Sequence, residues 1–203
     1  CRIKERTPCT LIVDADTGYG GIQNLARTVH LLERAGADLI QIEDQQGIKP
    51  TTQLLERPVA PAEEMEDRIK AALDARRCPR MKISARTDAL PQHGLSAAIE
   101  RACRYAEAGA DFVFVQSIRT EEEASEVSQS LSPLCPLVIH LPDPQRGLGG
   151  GISHLGRAGF RFGLVPHLLF ETSVTGLRAA IEKIPGTAPI PDLATILRGD
   201  MRL

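Results

Sequence analysis

AGADLIQIED, residues 35–44, returns as AGADFVFVQS at residues 108–117. Each copy opens on a Gly between small residues, passes an Asp and enters an apolar run that ends in polar groups. Upstream of each lies a helical stripe. Asn24 to Ala35 carries Leu25, Val29 and Leu32 at spacings of four and three, and Ser96 to Ala108 carries Ile99, Ala102, Cys103 and Ala106. Helix, Gly stop and buried strand are used twice in the same order, which is how a parallel sheet is built. Cys103, a small residue on such a stripe, is expected in the core.

The same unit extends in both directions. Strands are expected to begin at residues 11, 39, 81, 112, 137 and 162, each followed by a helix. The helix after Pro61 presents Met65, Ile69 and Leu73 on one face, and others are expected over 121–131, just after GLGGG (147–151), and over 171–184. The strands are close to continuous apolar runs, as when helices cover them. Six strands satisfy a doubly wound sheet, whereas a barrel needs eight. Ionisable or polar residues gather at the carboxyl ends: Asp14 and Asp16, Glu43 and Asp44, Arg86 and Asp88, Gln116 and Ser117, His140, His167. In parallel α/β folds that edge carries the site.

The first of these ends is the most informative. LIVDADTGYGG, residues 11–21, runs from strand character into two acids two positions apart and then a loop with three glycines. Residues two apart in a strand share a face, so both carboxylates are expected to point the same way. Such acids need a positive partner, either a hard divalent cation with oxygen ligands or an Arg or Lys side chain, or they cap the next helix. QQGIKPTTQLLERPVAP, residues 45–61, is a connection of about 17 residues, long for a compact α/β unit, and such loops tend to be lids or binding loops.

Composition narrows the partners. A net charge of -2 and 3% aromatics leave no footprint for nucleic acid. No apolar run approaches 18 residues, so no membrane partner is expected, and CRIKERTPCT has no signal-peptide core. The expected location is the cytoplasm, with the mitochondrion as the alternative. The five cysteines are widely spaced, with no CxxC, which argues against a disulfide frame or zinc site.

DADTGYGG (14–21), IEDQ (42–45), a long loop with one Lys and ARTDAL (85–90) together resemble the isocitrate lyase and phosphoenolpyruvate mutase superfamily, in particular its short members. These are methylisocitrate, oxaloacetate and dimethylmalate lyases, phosphoenolpyruvate mutase and phosphonopyruvate hydrolase. The resemblance runs from Leu11 to about Ile184. It implies an α/β fold, a (β/α)8 TIM-type barrel of which units three to eight are apparent here, in a single domain over residues 1–203 with residues 185–203 as a C-terminal tail. With Cys1 in first place, it also carries the expectation of a longer native chain, with roughly 70 further residues for two βα units. A homo-oligomer, dimer or tetramer, is implied as well.

The resemblance assigns roles residue by residue. Asp14 is similar to the acid that binds Mg²⁺ (or Mn²⁺) directly, and Asp16 and Glu43 to acids that hold its waters. Arg86 resembles the clamp on a substrate carboxylate, a bidentate task for which Lys is poor. Lys49 stands where the family keeps a Lys in a loop that closes on substrate. Gln116, where the phosphonate enzymes have His, and His140, which neither branch of the family accounts for, are candidates for substrate contact from their place at strand ends. The implied chemistry breaks a bond next to a keto or hydroxy group of a small acid through a pyruvate enolate. The carbon-carbon lyases carry Lys-Lys-Cys-Gly-His or Lys-Arg-Cys-Gly-His in the loop. Here Lys49-Pro50-Thr51-Thr52-Gln53 puts Thr51 at the Cys position, and a Thr hydroxyl is too weak an acid for that task without a base beside it. Three readings follow: a Mg²⁺-dependent lyase or decarboxylase of an oxaloacetate-like dicarboxylate, carbon-phosphorus chemistry on phosphonopyruvate, which Thr51 favours, and a catalytically degenerate barrel that binds or scaffolds.

Overall fold

A computed structural model describes residues 2–47, 58–141, 151–166 and 168–186. The chain divides into a unit of residues 1–164 and a second of residues 165–203. The first holds six strands: β1 (Ile12–Asp14), β2 (Leu39–Glu43), β3 (Lys82–Thr87), β4 (Phe112–Val115), β5 (Leu137–His140) and β6 (Phe160–Leu164). All five pairings are parallel and the spatial order is β1-β2-β3-β4-β5-β6. That order decides between the two expected architectures. A doubly wound sheet reverses direction at a switch point, whereas right-handed crossovers between successive neighbours put every helix on one face, as in a barrel.

Helices α1 (Arg2–Arg6), α2 (Ile22–Arg34), α3 (Ala62–Ala75), α4 (Leu90–Glu107), α5 (Glu121–Leu131) and α6 (Gly151–Arg157) belong to the same unit. The second unit contains α7 (Leu168–Ile181), three residues earlier than the stripe predicts. Among the described residues no helix is long and apolar enough to cross a membrane. Register sorts the side chains. Asp14 pairs with Gln41, Glu43 with Arg86, Arg86 with Phe114, and Phe114 with Val138, so these share one face, and His140 joins them by alternation. Ile40, Ile42, Ile83, Ala85, Val113 and Val115 alternate with them, and all are buried. On the polar face the rings of Phe112 and Phe162, two strands apart, come to 5.1 Å between centroids. Flat strands would set their backbones nearly 10 Å apart, so the rings converge over β5.

The repeated AGAD segment has a physical basis. Gly36 (φ 90°) and Gly109 (φ 102°) are left-handed helix stops, and the following residues, Ala37 and Ala110, donate back to Leu32 and Tyr105 carbonyls five positions earlier. The Asp of each copy then ties down the neighbouring strand: Asp38 Oδ2 accepts the Leu11 N–H at 2.7 Å and Asp111 Oδ2 the Ile83 N–H at 2.9 Å. Helix α4 departs from expectation by starting at Leu90 rather than Ser96. Pro91 sits in its first turn and Gly94 (φ 80°, ψ 172°) breaks the helical path, so two helical segments are joined at a kink. Cys103 is half-buried rather than core, and Tyr105, fully buried, fills that face of α4. Helix α1 was not expected from periodicity at all.

Candidate active site

Strand β1 stops at Asp14, so the shared-face argument for Asp14 and Asp16 does not apply as expected. A turn brings them together instead. Asp16 lies in the left-handed region at φ 46°, and its N–H donates to Asp14 Oδ1 at 3.1 Å, closing the turn with a side chain. The Glu43 N–H donates to the Asp16 carbonyl at 2.8 Å, which ties this turn to the end of β2. Gly18 (φ 93°) permits the return into α2: a Cβ there would sit 2.7 Å from Leu25 Cδ1. Tyr19 is also left-handed at φ 62°, a costly conformation for a bulky residue, held by its carbonyl accepting from Asn24 Nδ2 at 3.1 Å.

The result is a cluster. Asp14, Asp16 and Glu43 each offer a carboxylate oxygen, and these lie within 4.8 Å of one another. Oxygens bound at adjacent corners of a Mg²⁺ octahedron are about 3 Å apart. Opposite corners are about 4.2 Å apart, so three carboxylate oxygens gathered this closely could be shared by one hard cation. Glu43 is fully buried, and Arg86 Nη1 lies 3.3 Å from its Oε2.

Arg86 is fixed in three ways. Asp88 takes it side-on, with Nε to Oδ2 at 3.0 Å and Nη2 to Oδ1 at 2.8 Å. Glu43 meets Nη1, and the guanidinium carbon stands 5.6 Å from the centre of the Phe114 ring. Burial works against the charge, but Asp88, Glu43 and Asp14 outweigh it and raise the guanidinium pKa above its ordinary value. Among the described residues, four carboxylates, those of Asp14, Asp16, Glu43 and Asp88, gather at the edge that holds this one cation. The excess negative charge suits a divalent cation.

Neighbouring acids at the end of β2 have different tasks. Glu43 faces the cluster, whereas Asp44, on the opposite face, is a fully buried anchor. Its Oδ2 accepts from the Thr87 hydroxyl at 2.7 Å and the Tyr105 hydroxyl at 2.8 Å, its Oδ1 accepts the Asp88 N–H at 3.0 Å, and Arg101 Nη1 stands 3.5 Å away. Arg68 on α3 donates to the carbonyls of Glu43 and Gln45 at 3.1 and 3.3 Å. Gln45 Nε2 donates to Asp88 Oδ2 at 3.1 Å. Sequence reasoning gave none of these contacts. Their only advance signal is the i, i+4 spacing of Arg101 and Tyr105, which puts two polar tips on one helix face.

Among the expected site residues, Asp14, Asp16, Glu43 and Arg86 are brought together. Gln116 is the first residue past β4, its N–H donating to the Thr87 carbonyl at 3.0 Å, and Ser117 after it is left-handed at φ 73°. His140, half-buried, ends β5 on the same sheet face as Arg86. Lys49 and Thr51, with Gln53, lie outside the described residues, as does His167.

Comparison with known proteins gives a consistent setting. The phosphoenolpyruvate phosphomutase family matches residues 1–185. The 2,3-dimethylmalate lyase of Eubacterium barkeri is 42% identical over 129 residues, 64% of this chain and 45% of that protein. Oxaloacetate acetylhydrolase in complex with the product oxalate superposes with a TM-score of 0.72 at 29% identity, covering 93% of this chain and 65% of the other. Phosphonopyruvate hydrolase in complex with oxalate and Mg²⁺ gives 0.76 at 27% identity, covering 98% and 71%. The chain spans about half the length of the curated relatives it matches.

Proposed function

Because the chain belongs to the phosphoenolpyruvate phosphomutase family, within the superfamily that also holds isocitrate lyase, we propose that it serves a Mg²⁺-dependent lyase or decarboxylase acting on an oxaloacetate-like dicarboxylate. The observation that carries this reading is the carboxylate cluster of Asp14, Asp16 and Glu43, within 4.8 Å and in ion-pair contact with Arg86 through Glu43. Asp14 would hold the ion directly, and Asp16 and Glu43 through water. When bound, Mg²⁺ would supply positive charge where negative charge gathers on an oxo-acid oxygen.

The chain's own residues do the rest. Arg86 binds a carboxylate of the substrate with the N–H groups that Asp88 and Glu43 leave over. Its charge is in place before the reaction, so it stabilises developing negative charge without reorganisation. In decarboxylation of oxaloacetate the electron pair of the breaking carbon-carbon bond stays with the three-carbon fragment as an enolate, CO2 leaves, and one proton then yields pyruvate. That needs less from a loop acid than aldol-type cleavage does, which suits Thr51 in place of a thiol. In this reading Lys49 and Thr51 belong to the loop that covers the substrate, and Gln116 and His140 line its far side. The protein is proposed to work as a homo-oligomer in a single barrel domain.

Carbon-phosphorus cleavage of phosphonopyruvate is the second reading, supported by Thr51 and by the likeness to phosphonopyruvate hydrolase across 98% of the chain. Pyruvate release from oxaloacetate and from phosphonopyruvate, with and without Mg²⁺, separates the two. Turnover of neither substrate would instead support a barrel that only binds. Metal-dependent release left untouched by Asp14→Ala would refute the metal assignment.

A further inference from the structure

We infer that Asp88 is a positioning residue for Arg86: it grips the guanidinium side-on so that the terminal Nη1/Nη2 edge is presented toward the acidic cluster to read a substrate carboxylate. The inference rests on the proposed role of Arg86 as the carboxylate clamp.

Three observations support it. A guanidinium has five N–H groups in one plane, and its edges are not equivalent. Asp88 occupies the edge made by Nε and Nη2, at 3.0 and 2.8 Å. Glu43 Oε2 stands 3.3 Å from Nη1 as an ion-pair neighbour. A side-on grip through Nε and Nη2 leaves the terminal Nη1/Nη2 edge, whose two parallel N–H groups match the two oxygens of a carboxylate. Second, the plane is set independently by Phe114, whose ring centre lies 5.6 Å from the guanidinium carbon. Rotation about the long side chain is thus limited both in and out of plane.

Third, Asp88 is itself held. Its Oδ2 also accepts from Gln45 Nε2 at 3.1 Å, and its N–H donates to Asp44 Oδ1 at 3.0 Å. Asp44 is in turn bound to the Tyr105 hydroxyl of α4 at 2.8 Å and to Thr87 at 2.7 Å. Asp88 is 4% exposed and Arg86 7%, so solvent weakens this chain of contacts little. A substrate carboxylate would then meet a fork already aimed, instead of a flexible side chain that must be ordered on binding.

The test has two readouts on the purified protein, with Asp88→Asn, Asp88→Glu and Arg86→Lys. The first needs no ligand. The Arg86 Nε–H resonance, assigned by its disappearance in Arg86→Lys, should exchange slowly with solvent in the unaltered protein, speed up in Asp88→Asn and slow again at least partly in Asp88→Glu. The second is oxalate titrated in the presence of Mg²⁺. Affinity should fall about 10- to 100-fold in Asp88→Asn, the range for loss of a bond to a charged group. In the Arg86→Lys background, where there is no fork to aim, the same Asp88→Asn change should cost less than about threefold. An unchanged Nε–H signal in Asp88→Asn would overturn the inference. So would an equal loss of affinity in both backgrounds, which would mark a merely structural role. Absence of oxalate binding by the unaltered protein would remove the carboxylate role of Arg86, and this inference with it, while a slow Nε–H signal would still show Asp88 holding the side chain.

Discussion

Replacing Asp44 by Ala removes the acceptor for two buried hydroxyls and one backbone N–H, and leaves Arg101 without the carboxylate 3.5 Å away. Breaking a buried charged pair by deleting one partner costs about 3–5 kcal/mol, because the groups left behind lose their partners without regaining water. For a chain of this size each kcal/mol moves the midpoint of thermal unfolding by about 2–4 °C, so Asp44→Ala should lower it by about 6–20 °C. Tyr105→Phe removes two contacts of one hydroxyl, its donation to Asp44 at 2.8 Å and its weaker acceptance from Arg101 Nη1 at 3.3 Å. The ring is fully buried and stays packed, while its hydroxyl loses a charged acceptor at 2.8 Å, worth about 1.5–3 kcal/mol. Burial and the Asp44 charge push the phenol above its usual range, so it remains a donor throughout the neutral range. Urea unfolding at pH 7 of the two single variants and the double variant gives the coupling. With Asp44 already gone, removal of the hydroxyl should cost at least about 1 kcal/mol less, since only the contact with Arg101 at 3.3 Å is left to lose. Additivity within about 0.5 kcal/mol would refute the reasoning, since it would mean that the two groups do not act through each other.

Three further outcomes are expected. Asp14→Asn keeps the acceptor for the Asp16 N–H but removes one of the crowded charges; in EDTA it should unfold about 0.5 kcal/mol later than the unaltered protein, and it should abolish the roughly 2.7 kcal/mol of stabilisation expected at a Mg²⁺ concentration 100 times its Kd. Loss of stability in EDTA would mark the cluster as a structural ion-pair site. Gly18→Ala should cost about 2–4 kcal/mol, from φ 93° and a Cβ 2.7 Å from Leu25 Cδ1, while Gly21→Ala, with nothing within 4 Å, should stay within about 0.5 kcal/mol in the same urea assay. Burial pushes the Cys135 thiol up to about 11, so at pH 8 iodoacetamide followed by mass spectrometry should find Cys9, which is exposed, modified long before Cys135. The folded-state pKa is raised, so this thiol's contribution to stability is complete below about pH 9 and is lost as pH rises through about 11.

The parts of the fold that were legible are those where local chemistry repeats. Gly36 and Gly109 need left-handed backbone, and Asp38 and Asp111 accept an N–H at the start of a neighbouring strand segment, Leu11 just before β1 and Ile83 second in β3, so the AGAD echo marks equivalent joints of the sheet. Periodicity gave α2, α3 and α5 because each buries a stripe: Leu25 and Val29, Met65 and Ile69, Ala124 and Val127. It missed the opening of α4 because Pro91 and Gly94 read as a break, and the helix tolerates both only by kinking. Periodicity alone did not give the spatial order, since six βα units are compatible with either winding; the likeness of DADTGYGG, IEDQ and ARTDAL to the superfamily did, by implying a barrel. In the site, spacing located the acids without telling them apart, and it was the resemblance that singled out Asp14, Asp16 and Glu43. Alternation along β2 alone makes Glu43 and Asp44 point oppositely, yet only the register with Arg86 shows which of them faces the cluster. The grip of Asp88 on Arg86 joins residues two apart, beyond what a strand's shared face implies, because it lies past the last residue of β3.

That division of acids explains how a crowded negative site can be held open in a folded chain. Four carboxylates around one guanidinium repel one another, and flexible side chains would relieve this by swinging into water. Here each is tied by its backbone. Asp16 is locked by the turn that it closes on Asp14, Glu43 sits on a central strand and is fully buried, and Asp88 is fastened by Asp44 and Gln45. The anchors themselves, Asp44 with Tyr105 and Arg101, lie on the helix side of the sheet, where a satisfied buried network adds rigidity without entering the site. Conformational strain falls at the same edge: among the described residues, the non-Gly residues with positive φ, Asp16, Tyr19 and Ser117, follow the carboxyl ends of β1 and β4. Rigidity on one face therefore sustains charge density on the other. On the proposed reading, a cation and an anionic substrate arriving at such an edge would meet charges whose ordering cost was met during folding, which is the condition under which electrostatic stabilisation acts on a reacting bond.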